Sequence, residues 1–131
     1  MFIDASALTA ILADEADGPE LLARLEKGRT RITSPLAVWE STIAVARILG
    51  LSIQESAEAV EQFLSLAEIE VAAVDPAVRH LAVTAYDRYG KSRHPAALNF
   101  DDCFAYAGAR HARVPLLYKR DDFPLTDIET A

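Results

Sequence analysis

The stretch MFIDASALTAIL, residues 1–12, decides the fold. Met1–Phe2–Ile3 is a short apolar run that stops at Asp4, and Ala5–Ser6–Ala7–Leu8 then opens a helical pattern. This reads as a strand, a carboxylate at its carboxyl end, and a helix. Downstream, GPELLARLEK (18–27) sets Leu21, Leu22 and Leu25 at helical spacing before Gly28, a helix stop. RTRIT (29–33) alternates as a second strand, and Ser34–Pro35 supplies an N-cap with proline at the first helical position. Helical spacing then runs from Leu36 to Leu49 and closes at Gly50, and a further helix spans about 53–66, with Ser52 and Glu55 as its capping pair. IEVAAV (69–74) predicts a third strand, and Asp75–Pro76 starts a helix lasting to Tyr89–Gly90. KSRHPAALN (91–99) is loop-like, 100–111 is helical, VPLLY (114–118) is a buried strand, and a short terminal strand is expected near Asp127–Glu129. Strands alternating with helices imply an α/β domain with a mainly parallel sheet.

A chain of 131 residues fits one domain, taken as 1–131. Hydrophobic residues at 51% and charged residues at 25% are those of a soluble globular protein. The single cysteine, Cys103, excludes an internal disulfide framework and fits a reducing compartment. The N-terminus has no basic region ahead of its apolar run, so it is not read as a signal peptide, and no apolar run approaches the roughly 20 residues a bilayer requires. A cytoplasmic location without membrane attachment is the expectation. The net charge of -7 excludes a large basic nucleic-acid surface. It does not exclude phosphodiester chemistry, because carboxylates can recruit the divalent cations that meet a phosphate.

The candidate chemistry lies in acids. Ligands of open α/β sheets bind beyond the carboxyl ends of the strands. Asp4 stands there after the first strand, and Asp121 and Asp122 follow VPLLY, with Lys119 and Arg120 between. The two positions share one crevice if their strands are neighbours. Asp4 is also a candidate N-cap for the helix that follows. Glu40 lies in a helix whose Trp39, Ile43 and Ala46 look buried, about 60° from Ile43 and about 100° from Trp39, so it borders an apolar face. A carboxylate there calls for a metal or an ion pair. Arg47 is the available cation, roughly 10 Å along the axis. Asp102 lies three residues after Asn99, as in a capping box, next to Asp101. Clustered carboxylates repel one another unless cations neutralise them, and hard oxygen donors without clustered His or Cys point to Mg²⁺ or Mn²⁺. Such ions polarise phosphoryl oxygens and activate water.

Other chemistries find no footing. His80, His94 and His111 lack ligand spacing, and Cys103 has no nearby His to activate it. No G-x-S-x-G elbow, Walker A loop or dinucleotide fingerprint is present. Tyr86, Tyr89, Phe104 and Tyr106 recur at helical spacing as core or dimer surface. Of the basic clusters, Lys91–Arg93–His94 and Lys119–Arg120 flank the acids and can guide a polyanion, or simply be solvated.

Four segments, MFIDASAL, SPLAVWES, LNFDDCFAYA and PLLYKRDDFPLTDI, in this order and spanning almost the whole chain, resemble PIN-domain ribonucleases of the VapC toxin type. The resemblance implies a three-layer α/β/α fold around a mainly parallel five-stranded sheet. It also implies a Mg²⁺- or Mn²⁺-dependent endoribonuclease toxin, neutralised by a cognate antitoxin, as a homodimer or a toxin–antitoxin hetero-oligomer. By position, Asp4, Glu40 and Asp102 match the family's core acids, and Asp122 is favoured as the fourth with Asp121 as its stand-in. Ser6 would hold a water or a phosphate oxygen and Asn99 would orient Asp102; Lys119, Arg120 and Arg93, basic residues near the acids in sequence, are the candidates for contact with RNA, and Arg120 could instead pair with Asp121. The chain departs from the family at Asp101 and Arg120, where glycine is frequent, which bears on substrate preference. The rival is a signalling module of receiver type, or a non-catalytic α/β partner-binding module. A receiver wants paired acids after the first strand and a phospho-accepting Asp after the third. Here Asp4 stands alone and the third strand runs into Asp75–Pro76.

Overall fold

A computed structural model describes residues 1–119 and 122–131. Four strands of two residues each, β1 (Phe2–Ile3), β2 (Ile32–Thr33), β3 (Glu70–Val71) and β4 (Leu116–Leu117), form a parallel sheet in the order β3-β2-β1-β4. Six helices among the described residues surround it: α1 (Ala5–Leu12), α2 (Gly18–Lys27), α3 (Pro35–Leu49), α4 (Ile53–Leu66), α5 (Pro76–Tyr89) and α6 (Phe100–Ala112). Among the described residues, no helix is long and apolar enough to cross a membrane.

Such short strands suffice because both faces of the sheet are covered. Side chains alternate across a strand. Phe2 and Leu116 therefore enter one core with Val78, Ala82 and Ala85 of α5 and Cys103, Tyr106 and Ala107 of α6. Ile3 and Leu117 enter a second core with Leu8 of α1, Leu21 and Leu25 of α2 and Val60 and Leu64 of α4. This is the expected three-layer α/β/α arrangement. Buried hydroxyls tie neighbouring elements together. Thr33 donates to the Ile3 carbonyl at 2.8 Å, Ser56 to that of Thr42 at 2.8 Å, and Ser41 to those of Ala37 at 2.7 Å and Ala5 at 3.3 Å.

The strands are shorter than the sequence predicts, and the expected fifth strand near Asp127–Glu129 is reduced to an isolated parallel bridge between Leu116 and Thr130. The physical reason lies just upstream. Phe123–Leu125 coils into a 3₁₀ turn, and the Asp127 side chain is tied to Tyr106 and Arg110 of α6. Only the last residues can then lie along β4, where Leu116 donates to the Glu129 carbonyl and Ala131 to that of Leu116. The helix starts follow the sequence closely. Ser34 caps α3, and both Ser52 with Glu55 and Asn99 with Asp102 form complete capping boxes.

Candidate active site

Topology sets the site. β1 and β4 are adjacent and parallel, and the Asp4 N–H donates to the Leu117 carbonyl at 2.9 Å. The residues that follow the two strands therefore share one edge. α3 leaves β2 through Ser34 alone, so its first turns rise from that same carboxyl edge. α6 returns to β4 through a three-residue connection, 113–115. Its C-terminus is thus at the amino edge of the sheet, and its first turn, with Asp102, is at the carboxyl edge. Asp4, Glu40 and Asp102 converge on one side of the sheet from three elements.

Asp4 is 4% exposed and caps α1, with Oδ2 accepting the Ser6 N–H at 3.0 Å and also the Ser6 hydroxyl. The Lys119 N–H in turn donates to Ser6 Oγ at 3.1 Å. A continuous relay thus joins the residue after β4 to the residue after β1. Asp102, also 4% exposed, accepts the Asn99 N–H at 2.9 Å, while its own N–H donates to Asn99 Oδ1 at 3.0 Å. Both capping roles weighed in the sequence are thus realised. They do not compete with cation binding, since a helix N-terminus favours the ionised carboxylate that a cation also requires. Asp101 beside it is half-buried.

Glu40 is half-buried, but not for the expected reason. Trp39 is 66% exposed and Ile43 39% exposed, whereas Ala37, Ser41, Thr42, Val45 and Ala46 form the inner face of α3. α3 packs closely on α1 and α4, and small side chains permit that approach where Trp would not. Glu40 borders this inner face instead, and opens with Ser6, Thr9, Glu15, Arg47 and Lys119 onto a polar cleft of about 340 Å³. No Glu40–Arg47 pair occurs among the ion pairs of the described residues.

Asp122 is half-buried immediately before the 3₁₀ turn, whose Phe123 is fully buried. Arg120 and Asp121 lie outside the described residues. Lys119 is paired with Glu15 and, at 3.5 Å, with Asp17, partners separated by over a hundred residues of chain that no local signal announces. Arg93 is bound to Asp87 at 2.5 Å, at the end of α5, and does not line the cleft. Among the described residues, no three His, Cys, Asp or Glu side chains stand together as a ready-made metal cage. The donors at this edge are carboxylate and hydroxyl oxygens, two of the carboxylates deeply buried, and that set suits a small hard cation.

Two competing chemistries can be set aside. Burial, and then the adjacent Asp102 charge, push the Cys103 thiol up to about 11, which leaves it protonated and inert at neutral pH. Asp75, the acid after β3, caps α5 through Ala77 and Val78 and faces His111 at 3.6 Å, on the edge strand of the sheet. A receiver's phospho-acceptor would be free for chemistry and central.

A parallel α/β sheet with buried acids at its carboxyl edge defines a class, and a model of the PIN domain family matches residues 1–128. The chain belongs to the PIN-domain family. Its relatives include the ribonuclease VapC30 of Mycobacterium tuberculosis, 36% identical over 130 residues, with 99% of this chain and 97% of the relative covered. The ribonuclease VapC of Mycolicibacterium smegmatis is 38% identical over 128 residues, with 98% and 97% covered. The crystal structure of VapC20 of Mycobacterium tuberculosis, described as a sarcin–ricin loop cleaving toxin, superposes with a TM-score of 0.77 at 19% identity, with 99% of this chain and 97% of that one covered. That last likeness speaks for the fold.

Proposed function

We propose that residues 1–131 act as a single PIN-like domain, a VapC-type endoribonuclease toxin that hydrolyses RNA phosphodiester bonds with Mg²⁺ or Mn²⁺. The observation that carries this reading is the pair of deeply buried carboxylates, Asp4 and Asp102, at the carboxyl edge of the sheet, where Glu40 lines a cleft together with Ser6, the residue bonded to Asp4. Full-length similarity to proteins named VapC ribonuclease supports it.

In this reading Asp4, Glu40, Asp102 and Asp122 hold the cation, with Asp121 as the alternative fourth acid. A bound divalent ion would neutralise the acids, polarise a phosphoryl oxygen and lower the pKa of water. The protein's own part is orientation. Ser6 fixes Oδ2 of Asp4 and is itself fixed by Lys119, so the carboxylate is preorganised before substrate arrives. Asn99 does the same for Asp102. No side chain acts as a covalent nucleophile. A cognate antitoxin would silence the site by laying a basic side chain among the acids, in the cytoplasm where transcripts are exposed.

The test is cleavage of RNA by purified protein with Mg²⁺ or Mn²⁺, against EDTA and Asp4→Asn. Asn caps a helix as well as Asp does, so this substitution keeps the fold while weakening the cation site. Activity is expected to vanish in EDTA and to fall by roughly a hundredfold or more in Asp4→Asn. Cleavage unchanged in both would sink the mechanism.

A further inference from the structure

We propose that the cleft between α1 and α3 is a subsite for the RNA phosphate next to the scissile one, with Arg47 and Lys119 as its cations and Glu15 as a competitor that holds Lys119 in reserve. This deepens the nuclease reading and rests on it.

Three observations converge. The first is charge. Acids outnumber bases 20 to 13 in the chain, yet the cleft is lined by two cations, Arg47 and Lys119, against two acids, Glu15 and Glu40. A phosphate entering the cleft is therefore not met by an excess of negative charge from its lining. The second is position. Ser6 and Glu40, both assigned to the chemistry, are part of the lining. Arg47 is two turns beyond Glu40 on nearly the same stripe of α3, roughly 10 Å along the axis. Its side chain leans back toward the helix N-terminus, so it meets a phosphate adjoining the one at the acids. The third is availability. Arg47 is exposed and joins no ion pair among the described residues. Lys119 is engaged, but by Glu15 and Asp17 at the surface. Exposed pairs of this kind are weak and exchange readily, and a phosphate entering the cleft offers Lys119 a new partner. The Lys119 backbone N–H meanwhile stays on Ser6 Oγ, so taking up RNA need not disturb the Asp4 relay.

The experiment is a fluorescence-anisotropy titration of a short labelled single-stranded RNA against the full chain. Ca²⁺ replaces Mg²⁺ to read binding without turnover, between about 50 and about 200 mM salt. Arg47→Ala is expected to flatten the log–log salt slope by about 0.7, the value of one lost phosphate contact on a single strand. Arg29→Ala removes the same charge from the loop ahead of β2, at the opposite edge of the sheet, and is expected to leave the slope unchanged. Glu15→Gln is expected to tighten binding by roughly two- to fivefold by releasing Lys119. An Arg47→Ala slope equal to wild type, a matching loss in Arg29→Ala, or no binding by the wild type overturns the subsite. Binding with these slopes, but no cleavage in Mg²⁺ or Mn²⁺, would instead overturn the nuclease reading and leave the cleft as an RNA-binding groove.

Discussion

Asp4 and Asp102 each serve two masters at the scale of a single residue. The oxygen that caps a helix belongs to the same carboxylate that the proposed cation needs, and burial to 4% exposure keeps both in one rotamer. That economy explains why neither acid declares itself in the sequence, where a cap is explanation enough. Cys103, next to Asp102, shows the converse effect of the same environment. With burial and the neighbouring charge raising its thiol to about 11, it is expected to resist iodoacetamide at about pH 8 in the folded protein and to alkylate fully in urea, as read by mass spectrometry. Rapid labelling of the native chain would show that the first turn of α6 opens. The sign is clear: the thiol is protonated in both states at neutral pH, so any contribution to stability fades only as pH rises above the ordinary thiol value.

Among the elements, α6 is constrained at one close approach. It packs directly on β1, and Gly108 faces the Phe2 ring so closely that an added Cβ would overlap it. Phe2 is itself locked, being 2% exposed. Alanine at 108 improves helix propensity by about 1 kcal/mol, but overpacking against a ring that cannot withdraw costs about 1–3 kcal/mol. Gly108→Ala is therefore expected to lower the urea midpoint with the m-value unchanged; a midpoint at or above wild type would mean that the ring yields. α3 teaches a different lesson. Its sequence, PLAVWESTIAVARIL, is apolar on nearly every side, so helical periodicity alone cannot choose the inner face. Packing chose it: the small Ala37 and Ser41 lie against α1 while Trp39 and Ile43 turn outward.

For the whole molecule, one carboxylate links the C-terminal segment to two helices. Asp127 accepts from Tyr106 at 2.6 Å and Arg110 at 2.6 Å, with Arg88 at 3.4 Å, and so ties the end of the chain to α5 and α6. Burial works against its charge but is outweighed by the hydrogen bonds from Tyr106 and Tyr89 and the charges of Arg110 and Arg88, which hold the carboxyl below its ordinary range. A depressed carboxylate contributes stability above the unfolded pKa, near 3.9, and loses it as pH falls through the folded value. Asp127→Asn is thus expected to cost no more than about 1 kcal/mol at neutral pH, given a side chain 42% exposed to screening solvent. The gap to wild type in urea unfolding should close as pH drops below about 4. A gap independent of pH would assign the tie to packing instead.

The sequence by itself determined what depends on neighbours along the chain. These are the strand–carboxylate–helix unit at residues 1–12, the caps at Ser34, Ser52 and Asn99, the helix spans, and acids that sit at strand ends and helix starts. All are written in spacings of a few residues, the range over which backbone hydrogen bonds and periodicity act. Only the tertiary structure decided the strand order that makes Asp4 and Lys119 neighbours, the hold of Glu15 on Lys119, the inner face of α3, and the shrinking of the fifth strand to a bridge. Each depends on contacts between distant segments, where volume and charge are settled jointly by groups that no local pattern links.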